Sequence, residues 1–343
     1  MYNHRTVRKF IFVLILFLGI ALVFLSFGEL QTIIETLQKS RLRYVFIALI
    51  VQSLWFLVIG RMYRSIYHLL GMDDSTLSLS LVAVAATFVN VIAPTAGVGG
   101  IALFAAEAKR RGHPTGKATV AGALFLLFDQ AAFLCILAVG WLILLRRNHL
   151  SAGDITASLI LLMIACAIGL MLYLGYRSAR TLGNVLAGIA RLVNRALKPF
   201  LHRDYLREER AHEFAGEIAD GLSGVTHEPR KLISPILFGL LNKVLLIIVL
   251  WCSFLSFEVP STAGTIISGF SIGYLFMIVS PTPSGMGVVE GVMALALGSL
   301  GIEWSQAVIV TLVYRSITFW FPLGIGALAF RRLNVNENGT TTT

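Results

Sequence analysis

Four ionisable side chains stand where an apolar chain should not keep them. Asp129, Lys243, Glu290 and Arg315 each lie inside a long hydrophobic run. An ionised group at the centre of a bilayer costs about 2.5–3.5 kcal/mol on insertion scales, so such residues are kept to pair, to bind or to carry charge. Two acids and two bases balance, which suits ion pairing inside a bundle. Each also has a plain structural role open to it. Glu290 sits in the first turn after Gly287, where a carboxylate offsets exposed amides and the helix dipole. Arg315 can neutralise Glu290. Lys243, about two turns into its helix, can snorkel to the surface, and Asp129, too deep for that, can pair with it. Glu107 adjoins Lys109 and is expected to reach the interface.

The elements that must position these groups are interrupted twice. Residues 280–290 place Pro281, Thr282, Pro283, Gly285 and Gly287 immediately before Glu290. Far upstream, residues 94–100 set Pro94, Thr95 and Gly100 in a comparable break. Proline removes a backbone donor and opposes the preceding turn, while glycine permits reversal. In lipid, the freed polar groups are tolerated only where protein or an aqueous cavity satisfies them. Broken helices in corresponding halves point to a transport site near the midplane. The short arms starting at Gly100 and Gly287 would aim their N-terminal amides there from opposite sides. That is a ready anion site, to which Arg315 adds a bidentate grip on phosphate.

Composition sets the class. Of 343 residues 57% are hydrophobic and 13% charged, about half the charge of a soluble domain. The expectation is an all-α polytopic membrane protein. The +10 net charge does not imply nucleic acid, because the bases sit between apolar runs, where they set topology and meet anionic lipid. Cys135, Cys166 and Cys252 lie within apolar runs without metal-ligand spacing and read as packing residues. The seven histidines form no HExxH pair, and no cofactor is indicated.

Along the chain, residues 10–27 form a first span; no small-x-small cleavage site follows them. Residues 44–59, 118–145, 155–176, 233–257 and 307–330 give five more. Residues 77–108 and 262–300 form two re-entrant hairpins, one entering from each side, which makes an inverted-topology repeat. A single membrane domain thus covers 1–333, with 334–343 as a polar, disordered tail. Within the cytoplasmic segment 178–230, Leu182, Val185, Leu186, Ile189, Leu192 and Val193 line one face edged by Arg191, Arg195 and Lys198. That face suits an in-plane helix on an anionic leaflet, or packing on the protein's own loops. With both termini cytoplasmic, 21 of the 28 Lys and Arg fall inside, five outside and two within the membrane, as the positive-inside rule requires. The expected location is the cytoplasmic membrane of the cell.

Residues 281–290, followed by Gly301, Ala307, Tyr314, Arg315, Pro322 and Gly326, resemble the flippase-like membrane domain of bacterial lysylphosphatidylglycerol synthases. Residues 94–112 resemble that family's first break more loosely. The chain departs from the pattern at 101–104 and 126–129, where the family often carries arginine. It also stops soon after its last span, which implies a stand-alone member lacking the synthase domain. The resemblance implies a protein that translocates a polar- or phosphate-headed lipid, with membrane lipids as partners. Two other readings stand beside it: a small-solute transporter, proton-coupled through Asp129 or Glu290, and a non-enzymatic accessory subunit of an envelope-lipid pathway, as a homo-oligomer or with a partner. Neither a GxSxG turn nor paired aspartates suggest an enzyme.

Overall fold

A computed structural model describes residues 40–92, 98–146, 152–201, scattered positions between 209 and 219, 232–280 and 282–339. The expected first span, Pro94, Thr95, Pro281 and residues 340–343 lie outside the described residues, as does most of 202–231. Every regular element described is helical.

Five stretches are long and apolar enough to cross a membrane: Leu42–Leu69, Thr115–Arg146, Ser158–Arg177, Ile233–Ser256 and Trp304–Leu333. They match the last five expected spans. Four shorter helices occupy the two interrupted regions. We number the helices in order: α1 Leu42–Leu69, α2 Thr76–Ile92, α3 Val98–Arg110, α4 Thr115–Arg146, α5 Ala152–Arg177 and α6 Ala179–Leu201. Then follow α7 Ile233–Ser256, α8 Ala263–Val279, α9 Val288–Ser299, α10 Trp304–Arg315 and α11 Phe321–Gly339. A π turn, Ser316–Trp320, joins α10 to α11.

The sequence explains where these helices stop. α2 and α8 each end shortly before a proline, whose ring disfavours helical geometry in the residue preceding it. Thr262 caps α8, its hydroxyl accepting from the Thr265 amide at 3.1 Å. α1, α3 and α9 end on Gly71, Gly112 and Gly301, all at positive φ. Beyond each, an amide reaches back five residues: Met72 to Tyr67, His113 to Ala108, Ile302 to Leu297. This closure needs a left-handed residue, which glycine adopts without strain.

α2 and α3 form one antiparallel pair, α8 and α9 another. In the second, Gly269 lies against Leu297 and Gly273 against Met293, so close that an added Cβ would meet those side chains at 2.5 and 2.9 Å. In the first, Gly100 lies against Asn90 and Ala86, while at the far end Arg111 binds Asp74 and Glu107. Glu107, expected near the Lys109 cluster, is thus tied to Arg110 and Arg111.

Each pair has its own apolar core. Met62, Ile66, Val82, Ala85, Phe104 and Val120 surround the first; Phe133, Val249, Phe254, Phe270, Met293 and Val310 surround the second. Outside, Leu42, Phe46, Ile50, Leu54 and Leu57 run down α1 as an exposed stripe. An apolar stripe of that length suits hydrocarbon rather than water.

Candidate functional site

The turn before α9 is the most contorted backbone described. Ser284, Gly285 and Gly287 have φ of 50°, 73° and 78°, and only the glycines take such values cheaply. Ser284 is held there by its neighbours. Thr282 donates its hydroxyl to the Met286 carbonyl at 2.9 Å, and the Gly285 amide donates to the Thr282 carbonyl at 3.1 Å. Arg315 crosses from α10 to fasten the turn. Its Nε donates to Glu290 Oε1 at 2.7 Å and its Nη2 to the Ser284 carbonyl at 3.1 Å. The guanidinium also lies over the Phe319 ring, 4.8 Å from its centroid, a favourable cation–π position.

Phe319 reaches that place because of the π turn. Pro322 offers no N–H, and its ring crowds the carbonyl four residues earlier. Ser316 and Thr318 meanwhile donate to the carbonyls of Leu312 and Tyr314, loosening the same turn. Glu290 is held by this arginine; no bond links its carboxylate to an α9 amide among those described. Its second oxygen, Oε2, is buried with no partner among the described residues.

The other two intramembrane charges also meet. Lys243 Nζ donates to both oxygens of Asp129 at 2.7 and 2.8 Å and to the Tyr274 hydroxyl. Asn242 Nδ2 adds a third donor to Asp129 at 2.8 Å. The Lys243 side chain is 0% exposed, so it does not snorkel. This network joins α4, α7 and α8.

Between the two clusters lies a cavity of about 180 Å³. Thr87 and Asn90 from α2, Tyr274 from α8, Ser284 from the turn, and Arg315 and Thr318 supply its polar wall. Trp55, Leu246, Phe319 and Leu323 are among the apolar residues completing it. An apolar cavity with a few convergent polar groups is the usual form of a ligand site. α2 also packs on the 283–285 turn, so the cavity lies where the first helix pair meets the second.

The expected site residues are thus distributed unequally. Arg315 lines the cavity, Glu290 and Gly285 hold its wall, and Lys243 and Asp129 stand behind Tyr274. At the first break, the Gly100 amide is occupied, donating to Asn90 Oδ1 at 2.8 Å. Asn90, Tyr274 and Asn242 were not singled out from sequence. A lone Asn between Val89 and Val91 was the available signal for the first.

Long apolar helices, lipid-suited outer faces and a cavity with a few polar groups beside the 283–285 turn define a polytopic α-helical membrane protein. Residues 10–326 match the family model for the lysylphosphatidylglycerol synthase TM region; the chain belongs to that family. It is similar to a UPF0104 membrane protein of Methanocaldococcus jannaschii, 23% identical over 95% of both chains. A second such protein, from Methanothermobacter thermautotrophicus, is 22% identical over 90% of this chain and 91% of the relative.

Proposed function

We propose that the protein is a flippase-like transporter that carries a polar- or phosphate-headed lipid across the cytoplasmic membrane. The head uses the cavity between the helix pairs while the tails stay in lipid. The observation that carries this reading is the buried Arg315, fixed by Glu290 and Ser284, on the wall of a cavity lined by α2 and by the 283–285 turn. Family membership supports a membrane-lipid role. We read both helix pairs as re-entrant hairpins. The arms of 17, 13, 17 and 12 residues span about 25, 20, 25 and 18 Å at 1.5 Å per residue, against about 30 Å of hydrocarbon. The basic ends put both termini in the cytoplasm. No catalytic step is assigned.

The test is translocation of a fluorescent-tagged phosphatidylglycerol in proteoliposomes, followed by quenching of the outer leaflet. Wild type is expected to move the lipid, with Arg315→Ala and Glu290→Ala inserted but slower by at least tenfold. Wild-type rates in both variants would remove the pair from the mechanism.

A further inference from the structure

Arg315, Asn90, Thr87, Thr318 and Tyr274 on the cavity wall have already used some of their hydrogen-bonding capacity, whereas Trp55 Nε1 is buried with no partner among the described residues. What is left over decides what the cavity can hold. Arg315 spends Nε on Glu290 and Nη2 on the Ser284 carbonyl, leaving Nη1 uncommitted among the described residues. Asn90 spends Oδ1 on the Gly100 amide. Because a backbone N–H can only donate, it fixes the orientation of that carboxamide and leaves Nδ2, with its two hydrogens, uncommitted. Neither nitrogen is among the buried unpartnered atoms, so both remain open to a ligand. Thr87 and Thr318 direct their protons to the carbonyls of Val84 and Tyr314. Among the described residues no carboxylate lines the cavity, since Asp129 and Glu290 are turned to their own bases.

We propose that Asn90 is the second ligand-binding arm of this site, its Nδ2 acting with Arg315 Nη1 to select an oxyanion, a phosphate ester, over an uncharged hydroxylic head. The inference rests on the cavity being the headgroup site, and adds a residue from the first helix pair that the arginine motif does not contain. Nitrogen donors from α2 and α10 suit oxygens that only accept, and a charged acceptor gains more from them than a neutral one. One phosphate group held by both arms also ties α2 to the 283–285 turn, so binding and the approach of the two pairs become one event.

Asn90→Asp separates this role from helix capping. It keeps an oxygen for the Gly100 amide, exchanges the free donor for an acceptor and adds a negative charge. Asn90→Ala, which removes the donor without adding charge, should lose phosphatidylglycerol occupancy too. Retention there would assign the Asn90→Asp loss to charge alone and overturn the proposal. Native mass spectrometry of the purified full-length protein would measure occupancy by dioctanoyl-phosphatidylglycerol and by an uncharged dioctanoyl-glucosylglycerol, with inorganic phosphate as competitor. The expected result is a loss of about tenfold or more in phosphatidylglycerol occupancy for Asn90→Asp. Occupancy by the glycolipid and the thermal midpoint should stay unchanged. Displacement by millimolar phosphate would assign recognition to the phosphate group alone, and resistance to the lipid ester; Asn90 keeps its role in either case. Equal losses for both lipids, or undiminished phosphatidylglycerol binding, would overturn the proposal. A wild-type protein that binds through Asn90 but moves no lipid would end the translocation reading and leave this one standing.

Discussion

Arg315 and Glu290 are worth more together than either alone, and that asymmetry is measurable. Removing one partner of a buried pair costs about 3–5 kcal/mol, because the other charge is left unpaired. Arg315→Ala should therefore lower the unfolding midpoint in detergent, and Arg315→Met with Glu290→Gln should restore most of it. If the pair binds headgroups, the double variant remains inactive in translocation; recovery of transport with stability would make the pair purely structural. Lys243→Met should destabilise similarly by stranding Asp129 between Asn242 and Tyr274. Adding Asp129→Leu should recover the loss in the same melt. All four charged residues were legible in the sequence, because a charge in an apolar run is costly enough to stand out. Their pairing was only one option there, since 114 residues separate Asp129 from Lys243 and no local rule spans that gap. Asn90 and Tyr274 passed unnoticed because a neutral polar group in lipid is cheap enough to need no special reason.

At the scale of helices, the interruptions are held by close backbone approaches. A Cβ at Gly326 would meet the Val84 carbonyl at 2.7 Å and Phe88 Cβ at 2.9 Å, neither of which can swing away. Gly326→Ala should wedge α11 from α2 and cost about 1–3 kcal/mol, the usual range for overpacking, read as a lower melting midpoint. Pro322→Ala is expected to act oppositely. Restoring an N–H closes the π turn and carries Phe319 away from Arg315, so stability should hold or rise while translocation falls several-fold. Unchanged transport would show that the widened turn does not position the arginine. The ends of these helices could be read from Pro and Gly because those residues act locally. The π turn could not, since it emerges from Pro322, Ser316 and Thr318 acting together.

Across the whole molecule, two apolar cores each enclose one helix pair, and the pairs converge on a largely apolar cavity with a few polar groups, faced by Thr87 on one side and Ser284 on the other. Five spans were readable from hydropathy and both interruptions from Pro and Gly, whereas the packing of α2 on the 283–285 turn was not, because it joins segments nearly 200 residues apart. The most direct test places Thr87→Cys and Ser284→Cys together in a protein with Cys135, Cys166 and Cys252 replaced by Ala. Asp73→Cys and Glu303→Cys, both exposed beyond helix ends, serve as controls. A short bifunctional thiol reagent should join positions 87 and 284 in membranes, and an impermeant maleimide should label both at least tenfold more slowly than the controls. Rapid labelling at the control rate with no cross-link would place the interruptions in water and apart, contradicting the account.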